Sequence, residues 1–247
     1  DVERSRGLGD VYKRQPYVSL TLNDTLTKDA VGKYYYTVSS LFDNQFGLTA
    51  FSSNTFNIIF DKVNVTLAIS DDRIDIGSKM PWSFTATYAY DGVDATPYLT
   101  VNLNDTDTKT AVGKWAFQVS SISDSQYGLS AFTANTIECI WDKVIIDTLT
   151  VADDRISVGD AASFTVGGYY AYDNTVWSGT YTLNDTATKD VVGKYGYRVS
   201  SITDDKYGLT AFVQTAPDVS VVFDCIEIYY CLLYTSPSPR DLSTSRM

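Results

Sequence analysis

The chain has 247 residues and a net charge of −11, with 30 acidic and 19 basic residues and no histidine. Because binding to nucleic acid or to an anionic membrane surface needs clustered Lys and Arg, this acidity disfavours both as partners. The lack of histidine excludes catalysis by an imidazole base and metal binding through imidazole.

The two ends of the chain do not read as protein sequence. Residues 231–241 are CLLYTSPSPRD, which resembles the translation of a transposase adapter used in short-read DNA library preparation. The reverse complement of the same DNA, read one base later, encodes SRGLGDVYKRQ, the sequence of residues 5–15. We therefore expect 1–15 and 231–247 to be adapter artefact and exclude them from the fold. The natural part, about 16–230, is then a fragment of a longer protein.

An internal repeat organises the natural part. Its copies are offset by 81 and 80 residues, which is longer than a solenoid unit and close to one small β domain. Three motifs recur: LNDT at Leu22, Leu103 and Leu183; VGK at Val31, Val112 and Val192; and YGLTAF or a close variant at Phe46, Tyr127 and Tyr207.

Alternation of apolar and polar residues predicts strands throughout, with turn residues between them. In one strand the predicted core positions are Tyr34, Tyr36 and Val38, then Trp115, Phe117 and Val119, then Tyr195, Tyr197 and Val199. Another strand places Phe84, Ala86, Tyr88 and Tyr90 on one side before an Asp91-Gly92 turn. Its counterpart contains Gly167 and Gly168, which suggests a bulge.

The repeat boundaries predict the domains. FDKV at Phe60, WDKV at Trp141 and FDCI at Phe223 mark the passage from one copy to the next, with no Gly, Pro or Ser linker, so stiff joints are expected. The predicted pieces are the C-terminal half of a domain at 16–60, complete domains at 61–141 and 142–223, and the first strand of a further domain at 224–230. The half domain lacks its first strands, so its apolar face has no partner layer.

About seven short strands per copy are typical of an all-β immunoglobulin-like sandwich. An up-and-down barrel is the competing fold, but the domain is small for eight strands. Two natural cysteines, Cys139 and Cys225, occupy different repeat positions and predict no disulfide, and Cys139 is expected to be a buried thiol.

The motif order WDKV, DDRI, YAYD, LNDT, VGKY and YGLTAF resembles the immunoglobulin-like repeats of large surface proteins of archaea and some bacteria. This resemblance implies an extracellular or cell-surface location, tandem arrays, and a role as a stalk, an S-layer or other envelope component, or an adhesive surface. It brings no catalytic residues and no cofactor. No nucleophile elbow, zinc-protease or phosphate-loop motif is present either, so we expect no enzyme.

Four asparagines satisfy the Asn-X-Ser/Thr acceptor pattern for N-glycosylation: Asn23, Asn64, Asn104 and Asn184. The alternative role is a turn, because Asn and Asp side chains bond to nearby backbone. The two roles are compatible.

Two acidic pairs, Asp71 with Asp72 and Asp153 with Asp154, are weak calcium candidates. Calcium prefers six to eight oxygen ligands, and an adjacent pair supplies only part of such a shell. A turn in which the following Arg73 or Arg155 pairs locally is the favoured interpretation. Asp43, Asp124 and Asp204 raise the same question and receive the same interpretation.

The remaining candidate is a sugar-stacking surface made by the many tyrosines, with Tyr35 and Tyr169 as the expected exposed members. Two functions from different classes follow. The first is a non-catalytic spacer in a surface protein. The second is an adhesin or accessory module that binds surface glycans or cell-envelope proteins. No membrane insertion is expected within the fragment.

Overall fold

The computed structural model describes residues 17–228, so both predicted adapter segments lie outside the described residues. Within this range the chain is all-β, as the alternating pattern predicts, with twenty strands and a short 3-10 turn at Thr96–Tyr98. The last strand ends at Asp224, and residues 225–228 have no regular secondary structure. Residues 229 and 230 are outside the described range, so the predicted first strand of a further domain stays a prediction.

The strands follow the repeat. Residues 17–60 contain β1 (Val18–Leu22), β2 (Gly32–Tyr36), β3 (Val38–Asp43) and β4 (Phe56–Phe60). Residues 61–142 contain β5 (Val63–Ile69), β6 (Arg73–Asp75), β7 (Trp82–Tyr88), β8 (Leu99–Leu103), β9 (Gly113–Phe117), β10 (Val119–Asp124), β11 (Phe132–Ala134) and β12 (Ile137–Asp142). Residues 143–228 contain β13 (Val144–Val151), β14 (Arg155–Ser157), β15 (Phe164–Tyr170), β16 (Gly179–Leu183), β17 (Gly193–Tyr197), β18 (Val199–Asp204), β19 (Phe212–Gln214) and β20 (Val219–Asp224).

In the first complete repeat, two three-stranded sheets enclose one core. Their strand orders are β11-β5-β7 and β6-β12-β9, and β8 pairs separately with β10. The start of the repeat is divided between the sheets, because β5 pairs antiparallel with β7 whereas β6 pairs parallel with β12. All these strands contribute side chains to a single apolar cluster. Such packing is that of a β-sandwich.

The second complete repeat has the same connectivity. Its sheets have the orders β15-β13-β19 and β14-β20-β17, and β16 pairs with β18. The chain divides into two compact units, with the boundary between Asp142 and Lys143. Unit 1 therefore holds residues 17–60 together with the first complete repeat, and unit 2 holds the second.

The core confirms the predicted alternation. Phe117 and Tyr197 are fully buried and Trp115 and Tyr195 are half-buried, whereas the intervening Ala116 is exposed. Burying one such large apolar side chain contributes about 1.5–3 kcal/mol, so a few of them decide which face of the strand turns inward. Along β7 the inward face ends at Tyr88, and Tyr90, predicted to continue it, is exposed beyond the end of the strand.

The predicted bulge occurs, but the extra residue is on the opposite strand. The register between β13 and β15 shifts between Ile146 and Thr148, which leaves Asp147 without a pair opposite Gly167 and Gly168. A Cβ atom at Gly168 would clash with the carbonyl oxygen of Ile145. Glycine is therefore required at this position because two backbones approach closely there.

Residues 17–60 form only two separate pairs, β1 with β3 and β2 with β4. The counterparts of β5, β6, β7 and β11 are not among the described strands of this segment. Several of its apolar side chains are exposed as a result: Leu20, Leu48, Phe51, Phe56, Ile58 and Ile59.

Candidate functional site

The two acidic pairs lie on the surface at the start of β6 and β14. The Asp71 carboxylate accepts the backbone N–H of Arg73 at 3.1 Å, and the carbonyl of Asp72 accepts the N–H of Ile140 at 2.8 Å. In the next repeat the carbonyl of Asp154 accepts the N–H of Val222 at 2.7 Å, and Asp153 is exposed beside it. Within residues 17–228 no three metal-binding side chains of the His, Cys, Asp and Glu types come together. Each pair directly precedes a strand, β6 or β14.

The arginine after each pair binds a distant carboxylate, which corrects the expected local pairing. Arg73 donates from Nε and Nη2 to one oxygen of Asp142, at 3.0 and 2.6 Å. Both side chains are buried, at 5% and 0% exposure. Arg155 pairs with Asp224 at 3.4 Å, and there both side chains are well exposed, at 70% and 42%. The contact ties β6 or β14 to the last strand of its repeat.

Asp124 and Asp204 are buried and hold the loop that follows them. One oxygen of Asp124 accepts the Tyr88 hydroxyl at 3.1 Å and the N–H of Gln126 at 3.0 Å. The other oxygen accepts the N–H groups of Tyr127 and Leu129, at 3.2 and 3.3 Å. Asp204 is bound in the same way by the Tyr170 hydroxyl and by N–H groups of its own loop.

These contacts shift the pKa values of both Asp124 and Tyr88. Burial raises the pKa of the Asp124 carboxyl, but the hydrogen bonds from the backbone of Gln126 and Leu129, from the Tyr88 hydroxyl and from the backbone of Tyr127 together outweigh it and lower the pKa below its usual value. Burial, followed by the hydrogen bond to Asp124, raises the pKa of Tyr88 to about 12. A carboxylate with four donors has few lone pairs left for a metal or a substrate. Its role here is structural.

Three of the four acceptor asparagines accept a backbone hydrogen bond at the point where the chain passes from one sheet to another. Gln118 lies between β9, in one sheet, and β10, paired elsewhere, and its N–H donates to Asn104 Oδ1 at 2.9 Å. Thr37 and Arg198 donate to Asn23 and Asn184 in the same way, both at 2.8 Å. All three asparagines are exposed.

The fourth acceptor, Asn64, is different. It lies within β5 rather than in a turn, and its Oδ1 accepts the Thr133 hydroxyl of the neighbouring β11 at 2.8 Å. The turn interpretation is therefore wrong for Asn64, although this side chain too is exposed.

A lysine follows each Asn-Asp-Thr motif, and its role was not anticipated. Lys28 pairs with Asp24 at 2.5 Å, Lys109 pairs with Asp105 at 2.6 Å, and Lys189 pairs with Asp185. Each ammonium also lies over an aromatic ring of the strand that follows, those of Tyr34, Trp115 and Tyr195, at 4.9 to 5.9 Å. The hydrogen bond to Lys28 lowers the pKa of Asp24, and the same bond raises the pKa of Lys28. The pattern that could have predicted this ion pair is the recurrence of Asp and Lys four residues apart in every copy of the repeat.

A cavity of about 340 Å³ lies in unit 1 where residues 17–60 meet the first complete repeat. Tyr90, Tyr127 and the carboxyl-bearing Asp61 and Asp91 line it. Tyr127 is 65% exposed, so its ring is accessible. Of the two tyrosines expected to be exposed, Tyr35 is, whereas Tyr169 is half-buried.

The two cysteines within the described residues are both free thiols. Cys139 is a fully buried free thiol, and burial, followed by the charges of Asp71 and Asp72, raises its pKa to about 12. Cys225 is free and exposed.

Comparison with protein-family models and with curated proteins found no match for the chain. In the part of the chain that the structure describes, no helix has the length and apolar character needed to cross a membrane. A proposal about function therefore depends on the geometry of the repeats themselves.

Proposed function

We propose that the repeats are non-catalytic spacers: immunoglobulin-like sandwich domains of an extracellular or cell-surface protein, such as a stalk or an envelope component. In this role they keep other domains of that protein spatially separated. A spacer needs stable domains and short connections, and it needs no ligand.

The observation that carries the proposal is the shortness of the connections and their bonding. Two residues separate β4 from β5, and one residue, Lys143, separates β12 from β13. In the first connection Asp61 accepts the N–H of Tyr90 at 2.9 Å, and the carbonyl of Lys62 accepts the N–H of Ala89 at 2.9 Å. In the second, the carbonyl of Lys143 accepts the N–H of Ala171 at 2.9 Å. Both connections are thus short and are bonded to the repeat that follows them, which supports the proposal of stiff joints.

Electron–electron double resonance tests this stiffness. Spin labels go on cysteines placed at Ser123 and Thr203, exposed residues of the equivalent strands β10 and β18, with Cys225 and Cys231 replaced by Ser. We expect a narrow distance distribution, and a clearly broader one when four glycines are inserted between Asp142 and Lys143. A distribution for the original chain as broad as that of the glycine variant would contradict the spacer proposal.

The extracellular location has its own support and test. The four acceptor asparagines are exposed, as glycosylation requires. We expect the chain, secreted from a host that N-glycosylates, to carry a glycan at Asn104 that Thr106→Ala removes, as read from intact mass. Bare asparagines at all four positions would count against the proposal.

Binding of surface glycans is the second candidate, and the cavity lined by Tyr90, Tyr127, Asp61 and Asp91 favours it. Aromatic rings stack on the apolar faces of sugars, and carboxylates accept hydrogen bonds from their hydroxyls. Retention on a glycan array that Tyr127→Ala abolishes, but the exposed control Tyr35→Ala does not, would support this function. No retention of the original chain on any glycan would remove it.

A further inference from the structure

In each complete repeat, the opening strands and the closing strands run side by side in the same direction. The opening strands of the first complete repeat are β5 and β6, which pair in parallel with its closing strands β11 and β12. In the second complete repeat the opening strands β13 and β14 pair in parallel with the closing strands β19 and β20. The chain therefore enters each repeat at one end of these paired strands and leaves it at the other end.

We propose that this topology lets each complete repeat carry tension along the chain, so that the repeats act as a mechanical tether. The inference rests on the proposed spacer function and adds a mechanical role to it. A pull on both ends of the chain draws the opening strands toward their start and the closing strands toward their end. Parallel neighbours are then displaced along their own axes, so the evenly spaced bonds between them are strained together and must break together. A pair that is peeled open from one end loses its bonds one at a time, which needs less force.

Bonds between opening and closing strands are present at both ends of the first complete repeat. At its start, the N–H of Val63 donates to the carbonyl of Ala131 at 2.9 Å. At its end, the N–H of Ile76 donates to the carbonyl of Asp142 at 3.0 Å. The buried ion pair of Arg73 with Asp142 joins β6 to β12 at the same end. The two sets of strands are thus held together along the length of the repeat.

One side chain adds two bonds between these ends. Asn135 lies between β11 and β12, and its Oδ1 accepts the N–H of Leu67 in β5 at 2.7 Å. Its Nδ2 donates to the carbonyl of the same Leu67 at 3.0 Å. The amide group therefore connects an opening strand to the closing segment beyond the residues where β5 and β11 pair directly. Because Asn135 is exposed, its truncation leaves the apolar core intact.

The second complete repeat is joined in the same way. The N–H of Val144 donates to the carbonyl of Ala211 at 2.9 Å at its start, and the N–H of Val158 donates to the carbonyl of Asp224 at 3.0 Å at its end. Both repeats therefore resist the same direction of pull, which domains that carry one tension in series need to do.

Optical tweezers that hold the whole chain by DNA handles at its two ends test the inference. Each complete repeat should unfold in one step that releases about 280 Å of chain, the extended length of about 80 residues. At constant force the unfolding rate reports the barrier directly. Asn135→Ala should make the first complete repeat unfold at least about tenfold faster, since two bonds between opening and closing strands are lost.

Asn104→Ala is the matched control for Asn135→Ala. It also removes an asparagine side chain that accepts a backbone N–H in the same repeat, but its partner Gln118 lies outside the opening and closing strands. We expect it to change the unfolding rate at constant force by less than about twofold. The second complete repeat should keep its original rate in both variants.

The direction of pull gives a second test that leaves the hydrogen bonds of the repeat unaltered. Handles on cysteines placed at Lys79 and Lys143 hold β6 and β12 by the same end, since these residues follow the two strands. Cys225 and Cys231 are replaced by Ser in this chain. Force then peels β6 from β12, and the first complete repeat should unfold at a clearly lower force than it does when the chain is pulled by its ends.

Equal acceleration by Asn135→Ala and Asn104→Ala would overturn the inference, as would the same unfolding force in both directions of pull. Either result together with a narrow spin-label distance distribution would leave the spacer function standing and remove only the mechanical role. A broad distance distribution would contradict the spacer function and, with it, the tether.

Discussion

Arg73→Met tests how the end of a repeat is held together. The substitution keeps the length of the side chain but removes both hydrogen bonds to Asp142, whose carboxylate is fully buried. A buried charge left without its partner costs about 3–5 kcal/mol. The same position in the next repeat is its matched control, because Arg155 and Asp224 are exposed and 3.4 Å apart. Exposed pairs contribute about 0–1 kcal/mol, so Arg155→Met should have little effect.

Amide hydrogen exchange in low urea measures both effects in one protein. The free energy of opening is read from amides of β12 for Arg73→Met and from amides of β20 for Arg155→Met. We expect the loss in the free energy of opening to be several times larger in β12 than in β20. Adding Asp142→Leu to Arg73→Met should recover part of the loss, since no unpaired charge then remains. Equal losses in the two strands, or a loss below about 1 kcal/mol in β12, would refute the reasoning from burial.

Two further predictions concern the other recurring contacts. Because hydrogen bonds lower the pKa of Asp124 in the fold, its contribution to stability is present above the unfolded pKa of about 4 and is lost as the pH falls through the lower folded value. The stability difference between the original chain and Asp124→Asn, measured by urea unfolding, should therefore shrink below about pH 4; a constant difference from pH 7 to 3 would contradict this. Asn104→Ala removes the acceptor for Gln118 at the sheet crossing and should cost about 1 kcal/mol. Asn102→Ala, whose side chain donates to the exposed Ser121 hydroxyl, is its control and should cost less in the same assay.

Local sequence predicted the faces of the strands but not the contacts between distant residues. The alternation around Trp115 and Phe117 was enough to assign inside and outside, because successive side chains of a strand point to opposite faces. The partner of Arg73 could not be read in this way. Asp71 and Asp72 are adjacent in sequence, yet the guanidinium binds Asp142, 69 residues away.

The bulge was likewise predictable from local sequence only in part. Gly167 and Gly168 indicate that a backbone comes close, but the extra residue is Asp147 on the partner strand. A pair of glycines indicates that another backbone approaches closely. It does not indicate which of the two paired strands contains the additional residue. Likewise, the recurrence of Asn in LNDT predicted a shared role, while the sheet crossing at Gln118 that it clamps was visible only in three dimensions.

By itself, the sequence determined the repeat length, the all-β class and the inward positions, because these depend on periodicity and on residues close together in the chain. Tertiary structure alone decided which strands share a sheet and which carboxylates are buried. Those features depend on contacts between residues tens of positions apart, and folding chooses among them by burial and hydrogen-bond satisfaction across the whole domain.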